Sequence, residues 1–166
     1  EKVVVLYNFL LVISNVIMLI GYFEQKLDSK GRFLFPSVMK KQLSSDINEG
    51  FVIKRSIYNT SLELYPMDEW EKFSEEIDRM NQFDKETNDL ITLLMHGVKE
   101  VNIDDVGRIL IPKDLLIASK IEKDIVLASK KKYIEIWSKD VYEEFISTNM
   151  PKLSEMVQKI LGNRTT

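Results

Sequence analysis

The segment YFEQKLDSKGRFLFP, residues 22–36, decides the fold because the chain repeats it. Residues 98–112 read VKEVNIDDVGRILIP, and the two segments share Asp, Gly, Arg, Leu and Pro at a constant offset of 76 residues. A second pair, SLELYPMDEWEKF at 61–73 and YIEIWSKDVYEEF at 133–145, matches at an offset of 72 residues. Two matched blocks in the same order indicate a tandem duplication of one half-domain.

Each half predicts the same series of elements. A short strand leads into an Asp-x-x-Gly-Arg turn, whose glycine suits a positive φ, and a second short strand follows to form a hairpin. Proline opens a short helix, where its missing N–H is not needed. Two more apolar strands and an amphipathic helix that begins near an aspartate complete the half. The predicted strands after the turns are 32–35, 51–55, 62–65, 108–111, 125–128 and 133–137, and the predicted short helices are 36–43 and 112–119.

The strands of one half are too short to bury much apolar surface alone. We therefore expect the halves to interlock about a pseudo-two-fold axis, giving an α+β fold with a small β-barrel-like core and flanking helices. The predicted organisation is an apolar N-terminal extension (1–17), a first half-domain (18–80), a connecting helix (81–97), a second half-domain (98–148) and a C-terminal amphipathic helix (149–166).

Two helices carry apolar faces without an assigned partner. Residues 84–95 place Leu90, Ile91, Leu94 and Met95 on one side of the connecting helix. The tail from Pro151 has apolar residues at i, i+3, i+4, i+7 and i+8, which is typical of a helix that packs on something. Its partner is either the core of this chain or a neighbouring subunit.

The composition argues against an enzyme. The 166 residues include no cysteine, which excludes disulfides, thiolate metal sites and cysteine nucleophiles and is compatible with a reducing cytosol. The single histidine, His96, follows a predicted helix and is interpreted as a helix-terminal or surface residue. Because phosphate-binding loops and zinc spacings are also missing, we predict no catalytic residue, metal, cofactor or small-molecule substrate.

The Asp-x-x-x-Arg turn, at residues 28–32 and 104–108, is the candidate functional motif. In a purely structural interpretation the aspartate caps its own turn and pairs with the arginine. In a functional one the rigid turn presents the arginine as a fixed cation that binds phosphate or guanine. The net charge of −3 requires any DNA binding to be local. The first copy is more cationic, with Lys30 in the turn and further basic residues nearby at Lys26, Lys40 and Lys41.

Several other polar and aromatic residues have ordinary interpretations. Glu63 and Glu135 are predicted to face solvent or to pair across the fold rather than to act as catalytic carboxylates. Trp70 and Trp137 are predicted core aromatics. The lysines at 130–132 are predicted to form a solvated hairpin tip, with phosphate contact as the alternative.

The blocks LDSKGRFLFP, IDDVGRILIP, ELYPMDEW and EIWSKDVY give the chain a resemblance to the MraZ family, extending from about Met18 to Thr148. The resemblance implies two AbrB-like swapped-hairpin half-domains in a duplicated double-split β-barrel. It also implies a cytoplasmic, nucleoid-associated transcription factor that forms ring-like homo-oligomers and binds double-stranded DNA at repeated promoter boxes of the division and cell-wall gene cluster. By motif position, the implied DNA-binding residues are Asp28, Lys30, Arg32, Asp104 and Arg108. The second turn has Asp105 and Val106 where the first has Ser29 and Lys30.

The apolar N-terminus is not part of the family pattern. We interpret residues 1–17 as an extension outside the functional domain, translated upstream of a start at Met18. A membrane span over residues 3–20 and a secretory signal are the alternatives. The span would make the protein a membrane-tethered interaction scaffold, and a third hypothesis is an AbrB-like antitoxin module that binds a toxin.

Overall fold

The computed structural model describes residues 19–43 and 50–162, so the predicted extension at 1–17 lies outside the described residues. Every predicted strand and short helix named above is present, with bounds within one residue at each end. The strands are β1 (Tyr22–Lys26), β2 (Arg32–Leu34), β3 (Phe51–Arg55), β4 (Ser61–Pro66), β5 (Lys99–Val101), β6 (Arg108–Leu110), β7 (Asp124–Ser129) and β8 (Ile134–Ser138). The helices are α1 (Ser37–Gln42), α2 (Met67–Asp78), α3 (Lys85–Met95), α4 (Lys113–Ala118), α5 (Lys139–Asn149) and α6 (Leu153–Leu161).

The strands form two antiparallel sheets whose order reflects the duplication. Six strands lie in the order β1-β7-β8-β4-β3-β5, and β2 and β6 form a separate two-stranded ribbon. Exchange of the two halves maps β1 onto β5, β3 onto β7 and β4 onto β8. The order of equivalent strands in the larger sheet is therefore the same from either edge. The predicted α+β fold and its duplication are confirmed, with the pseudo-two-fold axis between β4 and β8.

The strands that flank each Asp-x-x-x-Arg turn do not pair with each other, so the predicted local hairpin is wrong. β1 pairs with β7 of the other half, and β5 pairs with β3. β2 pairs with β6, with Phe33 directly opposite Ile109. Local pairing is limited to the closure of each turn and one further bridge at the second turn, between Ile103 and Ile109.

The ribbon and the larger sheet enclose the core. Phe33 and Ile109 point into it and are almost completely buried. They join the inward residues of the large sheet, together with Met39 of α1 and Leu115 of α4. Alternation along β2 and β6 then leaves the residues on either side of Phe33 and Ile109 on the outer face of the ribbon.

The opposite face of the larger sheet is covered by α2 and α5, and it buries a polar cluster. Glu63 and Glu135 are paired across β4 and β8 and are both buried, so the solvent-facing alternative is wrong. The Lys54 ammonium lies 2.6 Å from the Glu63 carboxylate, and the Trp137 indole N–H donates to Glu135 at 3.1 Å. Burial raises the pKa of Glu135 above its usual range. Trp137 is buried as predicted, whereas Trp70 is half-buried against Tyr65.

The helices outside these layers are exposed. α6 buries none of its residues, so of the two alternative partners for its apolar stripe, the core of this chain is not borne out. α3 also has no buried residue, and His96 lies exposed at its C-terminal cap. Among the described residues, no helix combines the length and apolar character needed to cross a bilayer.

Substitution Phe33→Ala is expected to destabilise the fold by about 3–5 kcal/mol, because it leaves a cavity between ribbon and sheet. The control Leu34→Ala, on the exposed side of the same strand, should cost less than about 1 kcal/mol. Urea unfolding followed by circular dichroism, at one protomer concentration, measures both values. Equal losses in the two variants would contradict the placement of the ribbon.

Candidate nucleic-acid interface

The first Asp-x-x-x-Arg turn is held by a single carboxylate. Asp28 Oδ1 accepts hydrogen bonds from the backbone N–H groups of Lys30 at 2.9 Å and Arg32 at 3.0 Å. Its Oδ2 accepts from Arg32 Nε at 2.8 Å and lies 2.7 Å from Nη2. Gly31 has a φ of 80°, a conformation that favours glycine, and donates its N–H to the Asp28 carbonyl. One side chain therefore fixes both the backbone of the turn and the plane of the guanidinium.

The second turn repeats this arrangement. Asp104 Oδ1 accepts from the N–H groups of Val106 at 3.0 Å and Arg108 at 2.8 Å. Its Oδ2 accepts from Arg108 Nε at 2.9 Å and lies 2.8 Å from Nη2. Gly107 has a φ of 87°. The duplication has thus preserved the geometry of the turn as well as its sequence.

The electrostatics of both turns favour charged aspartates. The Arg32 side chain, followed by the Arg32 backbone N–H, lowers the pKa of Asp28 to about 2. At the second turn, the backbone N–H and then the side chain of Arg108 lower the pKa of Asp104. Both carboxylates are therefore ionised at neutral pH, and each arginine keeps a charged partner.

The arginines are held against the turns rather than extended into solvent. The Arg32 and Arg108 side chains are 25% and 30% exposed. The aspartate therefore pairs with the arginine, as the structural interpretation predicts, and this pairing gives the guanidinium one orientation. A guanidinium has five N–H donors, and the contact with the aspartate engages only two of them.

The ribbon places the two turns at opposite ends of one surface. Arg32 lies opposite Leu110, and Leu34 lies opposite Arg108. Because Phe33 and Ile109 point inward, all four of these side chains share the outer face of the ribbon. The positions of Arg32 and Arg108 are two residues apart along the ribbon, or roughly 7 Å.

The tips of the two turns differ in charge. Ser29 and Lys30 are exposed at the first tip, and Asp105 and Val106 are exposed at the second. The first turn therefore presents a cation beside its arginine, whereas the second presents an anion and an apolar side chain.

The other basic residues that the sequence singled out are not all gathered at this surface. The Lys26 ammonium lies 3.8 Å from Asp124, which offsets part of its charge. Lys40 and Lys41 are exposed in the last turn of α1, at the end of that helix remote from β2. The lysines at 130–132 form an exposed turn between β7 and β8, and Lys130 lies 3.8 Å from the buried Glu135. The described residues contain no cluster of three or more His, Asp or Glu side chains that could bind a metal ion.

Leu34 and Leu110 are two residues of this surface that the sequence analysis did not single out. Each is about half exposed although it lies in a strand beside the core. The alternation of Arg32, Phe33 and Leu34 was the available signal, since burial of Phe33 requires its two neighbours to face outward.

The substitution Asp28→Asn is expected to lower the melting temperature at pH 6 and to have progressively less effect as the pH falls. A depressed pKa contributes stability that is complete above the unfolded value of about 4 and is lost as the pH falls towards about 2. Thermal unfolding at intervals from pH 6 to pH 2 measures this difference. The control Asp105→Asn makes the same charge change at an exposed tip and should leave the melting temperature close to that of wild type. A constant deficit for Asp28→Asn across the range would contradict the assignment.

The chain is similar to proteins of one family along most of its length. A family model described as "MraZ protein, putative antitoxin-like" matches residues 18–92 and 94–162. A protein named Transcriptional regulator MraZ from Flavobacterium psychrophilum is 44% identical over 145 residues, covering 87% of this chain and 92% of the relative. Its namesake from Christiangramia forsetii is 44% identical over 148 residues, covering 89% and 96%. The one from Cytophaga hutchinsonii is 30% identical over 142 residues, covering 86% and 93%. This chain, with its duplicated halves and paired Asp-x-x-x-Arg turns, belongs to the MraZ family.

Proposed function

We propose that this protein is a sequence-specific DNA-binding transcriptional regulator that contacts duplex DNA through its two Asp-x-x-x-Arg turns. The observation that carries the proposal is the repeated clamp, in which one aspartate orients one arginine on each end of the same ribbon. The names of the relatives support a role in transcription. Asp28, Lys30, Arg32, Asp104 and Arg108 are the proposed contact residues.

The clamp prepares each arginine for recognition of a base. A guanidinium donates two parallel hydrogen bonds to O6 and N7 of guanine in the major groove. An arginine that is already held in one orientation loses less side-chain entropy on binding. A two-stranded antiparallel ribbon is narrow enough to enter the major groove, which is about 12 Å wide.

The first turn makes the stronger contact in this proposal. Lys30 is exposed at its tip and can neutralise a phosphate, whereas the equivalent position in the second turn is Val106. Asp105 beside it repels the DNA backbone. We therefore expect the residues at 28–32 to supply most of the affinity, and those at 104–108 to add less.

Assembly compensates for the acidic charge of a single chain. We propose a ring-like homo-oligomer in which every subunit presents the same ribbon, so that several turns contact one duplex and avidity raises the affinity. The exposed apolar stripe of α6 supports contact between subunits. Such a ring would bind short, directly repeated boxes spaced by about 10 base pairs. We place these boxes at the promoter of the division and cell-wall gene cluster and the protein at the nucleoid.

The half-domains of the proposed regulator are residues 18–80 and 98–148. The helix in 81–97 connects them, and the segment 149–166 contributes to assembly.

An antitoxin is a second candidate, favoured by the antitoxin-like wording of the family description. In that case a toxin would bind the protein, and the DNA-binding turns would serve autoregulation. A neighbouring toxin gene whose product forms a stable complex with the full chain would support it.

Lys30→Ala in the full chain is expected to weaken DNA binding because it removes one phosphate contact. Fluorescence anisotropy would use a duplex enriched from a random library by the wild-type protein. The plot of log affinity against log salt should lose about 0.9 of its slope for each phosphate contact removed. Arg32→Ala should abolish specific binding without changing the far-ultraviolet circular dichroism.

Lys85→Ala is the matched control for this experiment. Lys85 is exposed on α3, and its side chain is 88% accessible. This variant should bind as wild type does. Enrichment of no duplex, or equal affinity in the wild-type, Lys30→Ala and Arg32→Ala proteins, would refute the proposed function.

Ile160→Glu is expected to dissociate the oligomer, because it places a charge within the exposed apolar stripe of α6. Light scattering coupled to size-exclusion chromatography measures the mass. Gln158→Glu adds the same charge on the same helix beside the stripe and should leave the mass unchanged. A full-sized assembly in Ile160→Glu would show that α6 does not join subunits.

A further inference from the structure

We propose that Leu34 and Leu110 are specificity-determining residues that contact thymine methyl groups beside the bases bound by Arg108 and Arg32. The inference rests on the proposed function, because it assigns the chemistry that the same ribbon recognises. The inference adds apolar contacts with DNA to the ionic and hydrogen-bonded contacts that the Asp-x-x-x-Arg motif indicates.

The exposure of the two leucines is the first observation. Leu34 is 54% exposed and Leu110 is 50% exposed, whereas Phe33 and Ile109 beside them are 1% and 0% exposed. The fold requires an apolar residue at the inward positions of the ribbon but not at the outward ones. A threonine or lysine would fit the outer face of a strand equally well, so the leucines are not explained by folding.

The pairing register is the second observation. Leu34 lies opposite Arg108, and Leu110 lies opposite Arg32. Directly paired residues on one face have Cβ atoms about 4.5–5.5 Å apart. Leu34 also lies against the second turn, since a Cβ built on Gly107 would be 3.6 Å from Leu34 Cδ1. Each clamped guanidinium therefore has an apolar side chain at its flank.

The major groove offers a surface with the same two components. Guanine presents two acceptors there, and thymine presents O4 and the C5 methyl group. Consecutive base pairs are about 3.4 Å apart, so two side chains whose Cβ atoms are about 4.5–5.5 Å apart are close enough to contact adjacent base pairs. An arginine–leucine pair would thus bind a guanine and remove the methyl group of an adjacent thymine from water.

The flanking arginines favour DNA over an apolar protein surface as the occupant of this face. DNA supplies acceptors for the guanidinium N–H groups that the aspartates do not engage. A second copy or another protein with an apolar face would bury those donors without partners, which is unfavourable.

The test replaces individual thymines with deoxyuridine, which removes only the methyl group. The probe is the duplex enriched by the wild-type full chain, with one thymine replaced at a time, and the readout is the dissociation constant. For wild-type protein, we expect about a 3- to 5-fold loss at one or two positions next to a guanine. Leu34→Ala and Leu110→Ala should each bind the thymine duplex more weakly than wild type by a similar factor. Each variant should also bind the thymine and deoxyuridine duplexes equally well when the replaced thymine is the one that its leucine contacts.

Two further variants complete the design. Leu34→Met keeps an apolar side chain and should retain the discrimination. Ile57→Ala removes apolar atoms from an exposed position in the β3–β4 turn and should behave as wild type.

The outcomes separate the inference from the function on which it rests. If the protein enriches a duplex and Arg32→Ala abolishes binding, but deoxyuridine has no effect at any position, the inference alone is overturned. The inference is also overturned if both alanine variants still bind the thymine duplex more tightly than the deoxyuridine duplex. A third contradicting result is a change of oligomer mass in the alanine variants together with equal affinity of the wild-type protein for the two duplexes. Failure to enrich any duplex refutes the proposed function itself.

Discussion

The carboxylates of Asp28 and Asp104 hold the two turns through which we propose that the protein binds DNA. Each accepts two backbone N–H groups of its own turn and one guanidinium, so a single charged group fixes the path of the chain and the direction of an arginine. The pKa of Asp28, lowered to about 2, keeps this contact ionic throughout the physiological pH range. At each turn the chain leaves the large sheet and enters the ribbon, so the same interaction links the architecture to the proposed recognition of DNA.

The exchange of strands between halves follows from the short length of the strands. β1 completes the sheet of the second half, and β5 completes that of the first. Phe33 and Ile109 are buried only because β2 and β6 pair over a core to which both halves contribute. This interlocking brings two turns that are distant in sequence onto one rigid surface. A single half would have neither the covered core nor the paired arginines.

The sequence predicted much of this organisation because a repeat constrains both of its copies. Repetition located the turns, strands and short helices, and the family resemblance agreed with the comparisons. The repeat by itself did not predict the partner of each strand, since the residues around Gly31 are equally compatible with a local hairpin. The sequence also did not decide whether Glu63 and Glu135 are buried, because alternating polar residues occur on a sheet face covered by helices as well as on a solvent-exposed one. For α6, periodicity predicted an apolar stripe but could not show that the chain's own core leaves it uncovered.

The most direct test of the central claim is a crystal structure of the full chain bound to a duplex that it has enriched. We predict that the ribbon lies in the major groove, with Arg32 within hydrogen-bond distance of a guanine while its Nε still donates to Asp28. A complex in which DNA lies against another surface, such as the lysine turn at 130–132, with both Asp-x-x-x-Arg turns left in solvent, would contradict the account.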